Sequence, residues 1–198
     1  MILQPKYMIG DEIHSAVKSI EKDDKLYQEK NFSLRLQAID DIEFHVIERI
    51  DGLMESNDAP DEIIFLKNYA EKVRNRLENV NIKMFHRLRT EILQSNDKRK
   101  FLMDLLNEYL DYNVNIFPQQ DANGYDDLDI FLNGLLTNQQ LPAETIHTEP
   151  EMVFYQKTPA RIIFELIKKA AFKPHDVFFD LGSGLGQVTL LVNLLTSV

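Results

Sequence analysis

The sequence predicts a mainly α chain: an N-terminal antiparallel helical bundle followed by an incomplete α/β unit with one clear strand. Three observations carry that expectation. Apolar residues recur at three-to-four spacing through the N-terminal half, the period of one helix face. Pro118, Gly124, Pro142 and Pro150 then punctuate a polar stretch. Finally, Val177-Phe178-Phe179 reads as a short apolar strand running into Asp180 and glycines at alternate positions, Gly182, Gly184 and Gly186.

Residues 11–29 place Ile13, Ala16, Val17 and Ile20 on one helical face, and residues 33–55 repeat the pattern with Ile39, Ile42, Val46, Ile50 and Leu53. From Pro60, a residue favoured in a helix's first turn, a run to about Leu93 contains no further proline and no glycine. Its apolar positions Leu66, Tyr69, Ala70, Val73, Leu77, Val80, Met84 and Leu88 keep one face. A shorter helix at about 97–111 carries Phe101, Leu102, Leu105, Leu106 and Tyr109; short connections between these helices fit an antiparallel bundle. Residues 112–125 read as a linker, followed by a short amphipathic helix from Asp126 to about Leu136. Thr158 is expected to cap a helix starting at Pro159 and running through Ala171. Lys173 to Asp176 then makes a turn before the strand, and Val188 to Leu195 forms an apolar helix after the glycines. The expected division is residues 1–112 as helical bundle, 113–149 as linker with a short helix, and 150–198 as the start of a second domain.

Composition narrows the function classes. The chain has 198 residues, 44% of them hydrophobic, enough for one large or two small cores. It has no cysteine, which excludes disulfides and thiolate metal sites and fits a reducing compartment. The N-terminus lacks the apolar core of a secretory signal, and no apolar run approaches the roughly 18 residues of a membrane span, so the expectation is a cytoplasmic chain with no membrane partner. The net charge of −10 lies almost wholly in the first 150 residues, since residues 151–198 carry five Lys/Arg against four Asp/Glu. Phosphate backbones are held by basic residues, so this balance argues against a nucleic-acid partner.

The glycine turn is where chemistry concentrates. Glycine lets a backbone turn sharply and approach a ligand where a Cβ would collide, and the helix that follows turns its free N–H groups toward the loop. The dinucleotide fingerprint is excluded, because Gln187 or Thr189 stands where its third glycine belongs, and no Gly-Lys-Ser/Thr follows to make a P-loop. A strand–turn–helix corner whose glycines serve packing alone is the plain alternative.

The pattern acid-x-Gly-x-Gly-x-Gly resembles motif I of class I S-adenosylmethionine-dependent methyltransferases. Asp176 to Val188 looks most like the non-SET histone-lysine methyltransferases of the disruptor-of-telomeric-silencing type and their bacterial relatives, with Tyr155-Gln-Lys-Thr158 standing where those proteins place a Tyr-x-x-Thr loop. The resemblance covers about residues 150–198. It implies a Rossmann-like methyltransferase unit and S-adenosylmethionine as cofactor, bound by Asp180, Gly182, Ser183, Gly184, Gly186 and Gln187, with Tyr155 and Thr158 as further candidates. It implies transfer of a methyl group, and a protein lysine as one acceptor. Where the eukaryotic enzymes carry an acid before that threonine, this chain has Lys157. The resemblance names no catalytic residue here, because the later strands that complete the family's site do not follow. The chain is therefore expected to be the N-terminal part of such an enzyme, with a domain cut short after motif I and its helix, and to be inactive as it stands.

The second expectation is of another class: a helical interaction or oligomerisation module. Val177 to Phe179 reads as a strand buried on both faces, and Val188, Leu190, Leu191, Val192, Leu194 and Leu195 surround most of the last helix. Such a tail is expected to pack against the helical region or against a second copy, making a homo-oligomer. Lys72, Arg76, Lys83 and Arg87 form a basic stripe whose plain reading is a flank meeting acids of neighbouring helices. Asp121, Asp126, Asp127 and Asp129 lack the spacing of a calcium loop, and His14, His45, His86, His147 and His175 share no ligand spacing, so no metal is expected.

Overall fold

The structure, a computed structural model, describes residues 6–54, 61–111, 126–136 and 157–196. They divide into two compact units, Met1–Met84 and Phe85–Val198.

The first unit contains helix α1 (Lys6–Glu21), a 3-10 turn (Asp24–Tyr27), α2 (Phe32–Asp40), a π-helical segment (Asp41–Ile47), α3 (Glu48–Met54) and α4 (Asp61–Gln94) as far as Met84. The helix expected over 11–29 begins earlier and ends at Glu21. A new turn starts there because the Asp23 side chain accepts the Lys25 N–H at 3.0 Å. The helix expected over 33–55 runs on with a π-helical interior. Ile42, Val46 and Ile47 of that segment are buried. The core gathers Ile13, Val17, Ile42, Ile50, Leu66, Ala70, Val73 and Leu77.

Polar residues tie this core together. Arg35 has no exposure. Its Nε donates to Asn81 Oδ1 at 2.6 Å, one terminal nitrogen donates to the carbonyls of Leu26 and Gln28, and the other donates to that of Glu29. Tyr69 and Arg76 on α4 both donate to the Glu21 carboxylate at the end of α1. Those two donors hold Glu21 below the usual carboxylate range, while burial and Glu21 together push Tyr69 up to about 12.

The second unit contains α4 from Phe85, α5 (Lys98–Leu110), α6 (Asp127–Leu136), α7 (Ala160–Ala170) and α8 (Gln187–Leu195). Asp97 caps α5 by accepting the Lys100 N–H at 2.9 Å. Its core joins Leu88, Leu102, Leu106, Leu128, Phe131, Leu132, Ile163, Leu191 and Val192. The Phe131 ring lies 5.5 Å from both Phe85, edge on, and Tyr109. The C-terminal end of α6 is held by Arg89, which donates to the carbonyls of Gly134 and Leu135, as a cation at a helix C-terminus should.

The expected strand and Rossmann-like α/β unit are not found: among the described residues every regular element is helical. Val177 and Phe179 are 72% and 78% exposed, and Leu181 fully so, while Phe178 turns back onto Phe172 with rings 5.8 Å apart. A strand is defined by the ladder it makes with a neighbour, and no second strand is present among the described residues to make one. An apolar run leading into an acid and glycines does not by itself supply that neighbour. The last helix does pack into the helices of its unit, α8 lying against α5, α6 and α7. Its circumference is not wholly covered: Leu191, Val192 and Leu195 are buried and Leu190 is 43% exposed. No helix among the described residues is long and apolar enough to cross a membrane.

Candidate functional site

Between α7 and α8 the chain makes two linked turns. Ala171, at φ 48°, ends α7 in the left-handed region. Lys173 N–H then donates to the Asp176 carboxylate at 2.8 Å while Asp176 N–H donates back to Lys173 C=O at 2.9 Å. In the second turn Asp180 Oδ1 accepts the Gly182 N–H at 3.1 Å, and Gly186 N–H donates to Ser183 C=O at 2.7 Å. Gly184 (φ 50°) and Gly186 (φ 78°) occupy the left-handed region, which costs about 1–2 kcal/mol for a residue bearing a Cβ. Gly186 leads directly into α8, whose first-turn N–H groups have no intrahelical acceptor and, among the described residues, no side-chain cap.

Gly182 differs from the other two. It does not have a positive φ, and a Cβ placed on it would meet nothing within 4 Å. Neither backbone conformation nor packing calls for glycine there. Gly186 likewise faces open space, though its φ alone explains it.

The other sequence-predicted site residues are placed unevenly. Asp180, Gly182, Ser183, Gly184 and Gly186 form one exposed or half-exposed turn. Gln187 is 4% exposed on the buried stripe of α8 shared with Leu191 and Leu195, and among the described residues neither the oxygen nor the nitrogen of its amide has a hydrogen-bond partner. Thr158 is exposed and does not cap α7, which begins at Ala160. Tyr155 lies outside the described residues, as do Asp121, Gly124 and His147.

The cap of α7 comes instead from Asp129, in the first turn of α6. Asp129 has no exposure; its Oδ1 accepts the Ala160 N–H at 2.7 Å and its Oδ2 the Asp126 N–H at 3.2 Å. Asp126 pairs with Arg161, whose Nε lies 2.6 Å from its carboxylate. Burial pushes the Asp129 carboxyl above its ordinary range against the pull of those two N–H donors. Its bond to the Asp126 N–H is local, but its service to Ala160, 31 residues away, leaves no local signal.

The arginines of the basic stripe meet partners: Arg76 pairs with Glu21, and Arg87 with Glu91 and the Tyr109 hydroxyl. Among the described residues no three His, Asp or Glu side chains gather as metal ligands would.

The profile of the Histone methylation protein DOT1 family matches residues 150–198, about a quarter of the chain. That segment therefore resembles a methyltransferase related to histone methylation. No curated protein and no solved structure matches the chain.

Proposed function

We propose that the turn from Asp180 to Gly186 is a binding element for S-adenosylmethionine, within a segment related to protein-lysine methyltransferases. The observation that carries this reading is Gly182: a glycine that the fold does not require, facing open space, in a segment that matches a family of histone methylation proteins. A ligand approaching the backbone is one physical reason for omitting a Cβ. Asp180 shapes the turn by accepting the Gly182 N–H, and the open N-terminus of α8 offers N–H donors and a positive dipole end suited to a carboxylate. S-adenosylmethionine carries such a carboxylate on its amino-acid portion and supplies an electrophilic methyl group when bound. The described residues furnish one wall of a site. Methyl transfer to a lysine amine belongs to the wider family resemblance, and for this chain the reading is cofactor binding.

Calorimetric titration of the 198-residue chain with S-adenosylmethionine tests it. The expected result is saturable binding that Gly182→Ala weakens by at least about tenfold, or 1.4 kcal/mol, with an unchanged thermal melt. No binding by the unmodified chain, or equal binding by the variant, overturns the reading.

A second reading is favoured by a different observation, the exposed apolar row Val177, Phe179 and Leu181. On this reading the chain acts as a helical interaction module that self-associates through that row.

A further inference from the structure

The segment from Ala171 to Leu181 holds an apolar row outward. Ala171 ends α7 in the left-handed region, at φ 48°, a conformation strained for a residue with a Cβ. Reciprocal bonds between Lys173 and Asp176 close the turn that follows, and the Phe178 ring folds back edge-on to Phe172, 5.8 Å away. Exposure then alternates from Val177 to Leu181, as along an extended backbone whose successive side chains point to opposite sides. With Phe178 held back on Phe172, Val177 and Phe179 stand outward and Leu181 continues their row. From Val177 to Leu181 no backbone N–H or C=O has a hydrogen-bond partner among the described residues. An apolar row on a backbone with unpaired N–H and C=O groups is a template for an added strand.

Charge decides which strand fits. Asp176 and Asp180 flank and interrupt the row, and like charges directly opposed across a ladder repel. A parallel, in-register pair of copies sets each acid beside itself. In an antiparallel pair centred on Phe179, Val177 faces Leu181 of the second copy, Phe179 faces Phe179, and the acids face Gly182 and Phe178. Sliding that pair by one residue sets Asp180 against Val177 or Phe179. Moving its centre to Phe178 opposes Asp176 to Asp180, and moving it to Asp180 opposes Asp180 to itself. One register therefore keeps every apolar pair and separates every acid, and it is self-complementary under a two-fold axis, as an interface between two identical copies must be.

We propose that Val177 to Leu181 of two copies pair as an antiparallel ladder about a two-fold axis at Phe179. The inference rests on the self-association reading and names its interface. The second copy supplies the neighbour that this segment lacks among the described residues of its own chain. The two Phe179 rings lie side by side, and each Val177 packs beside the Leu181 of the other copy. The turn at Lys173–Asp176 and the glycine turn bound the ladder, which keeps it short and the association weak.

The chain has no cysteine, so introduced ones report the register cleanly, and all three positions of the row are exposed, so the substitutions disturb no core. Directly opposed residues of an antiparallel pair have Cα atoms about 4.5–5.5 Å apart, inside the span of a disulfide. In the proposed register each Val177 lies about 14 Å from its own counterpart. On mild oxidation Phe179→Cys is expected to link to itself. Val177→Cys and Leu181→Cys are each expected to link to themselves at least about tenfold less, and to link to each other when mixed. In the linked Phe179→Cys dimer, amide exchange within 177–181 is expected to be about tenfold or more slower than in the reduced chain. Self-linking by all three variants without linking in the mixture means parallel strands and overturns the antiparallel ladder. Unchanged exchange in the linked dimer also overturns it. Sedimentation velocity of the unmodified chain separates the two readings. Association without this linking pattern removes the ladder and leaves self-association standing, and a monomer at every concentration removes both.

Discussion

Arg35 shows at residue scale how much of the first unit rests on one side chain. A guanidinium removed from water is tolerated only if its donors are met, and here they meet Asn81 and the carbonyls of Leu26, Gln28 and Glu29. Those acceptors belong to the turn that carries the chain from α1 to α2 and to the middle of α4, so one residue joins three parts of the unit. Replacing it with methionine conserves much of the volume but leaves two buried acceptors, Asn81 Oδ1 and the Leu26 carbonyl, without their donor. Arg35→Met is expected to lower the unfolding free energy by about 2–5 kcal/mol, at about 1–3 kcal/mol for each buried acceptor left unmet. Urea denaturation followed by circular dichroism measures it. Arg35→Lys should recover little, because a single ammonium cannot reproduce the planar fork. A loss below about 1 kcal/mol in Arg35→Met would mean that water replaces the guanidinium in the turn.

At the scale of elements, α6 is the piece with the most demanding fit. Its N-terminal acids serve α7, its C-terminal carbonyls receive Arg89, and Gly134 admits the Phe85 ring so closely that a Cβ would overlap the ring edge. Two effects oppose each other at Gly134. Alanine gains roughly 0.5–1 kcal/mol over glycine inside a helix, whereas overpacking a filled core costs typically about 1–3 kcal/mol. Phe85 is 8% exposed and stands edge-on to Phe131, so its ring has little room to yield. Overpacking wins: Gly134→Ala is expected to destabilise the second unit by about 1 kcal/mol or more. Adding Phe85→Leu should return part of that loss, by removing the atoms in collision. A Gly134→Ala variant that melts at or above the unmodified chain would show that the ring moves aside freely.

For the whole molecule, helix content was legible and the strand was not, and the difference is physical. A helix closes its hydrogen bonds within its own segment, so the three-to-four spacing of Leu66, Ala70, Val73 and Leu77 is enough to find it. A strand needs partners elsewhere in the chain, and Val177 to Phe179 carries no information about them. The same limit hid the bonds of Arg35 to Asn81 and of Asp129 to Ala160, 46 and 31 residues away. The glycine turn was legible as a motif, because its geometry is local. Its consequence for association follows from what the structure leaves uncovered. Val177, Phe179 and Leu181 stand out by 72%, 78% and 100%. Burying three such side chains is worth roughly 4.5–9 kcal/mol at about 1.5–3 kcal/mol each. Association itself costs on the order of 4–15 kcal/mol. The balance favours weak, concentration-dependent self-association over an obligate dimer. Sedimentation velocity on the 198-residue chain is expected to show a mean mass rising with concentration. Val177→Lys with Phe179→Lys is expected to hold it at the monomer value, because two desolvated ammonium groups outweigh the apolar gain. Monomeric sedimentation of the unmodified chain throughout the concentration range would remove the self-association reading, while equal association of both chains would move the interface to another surface.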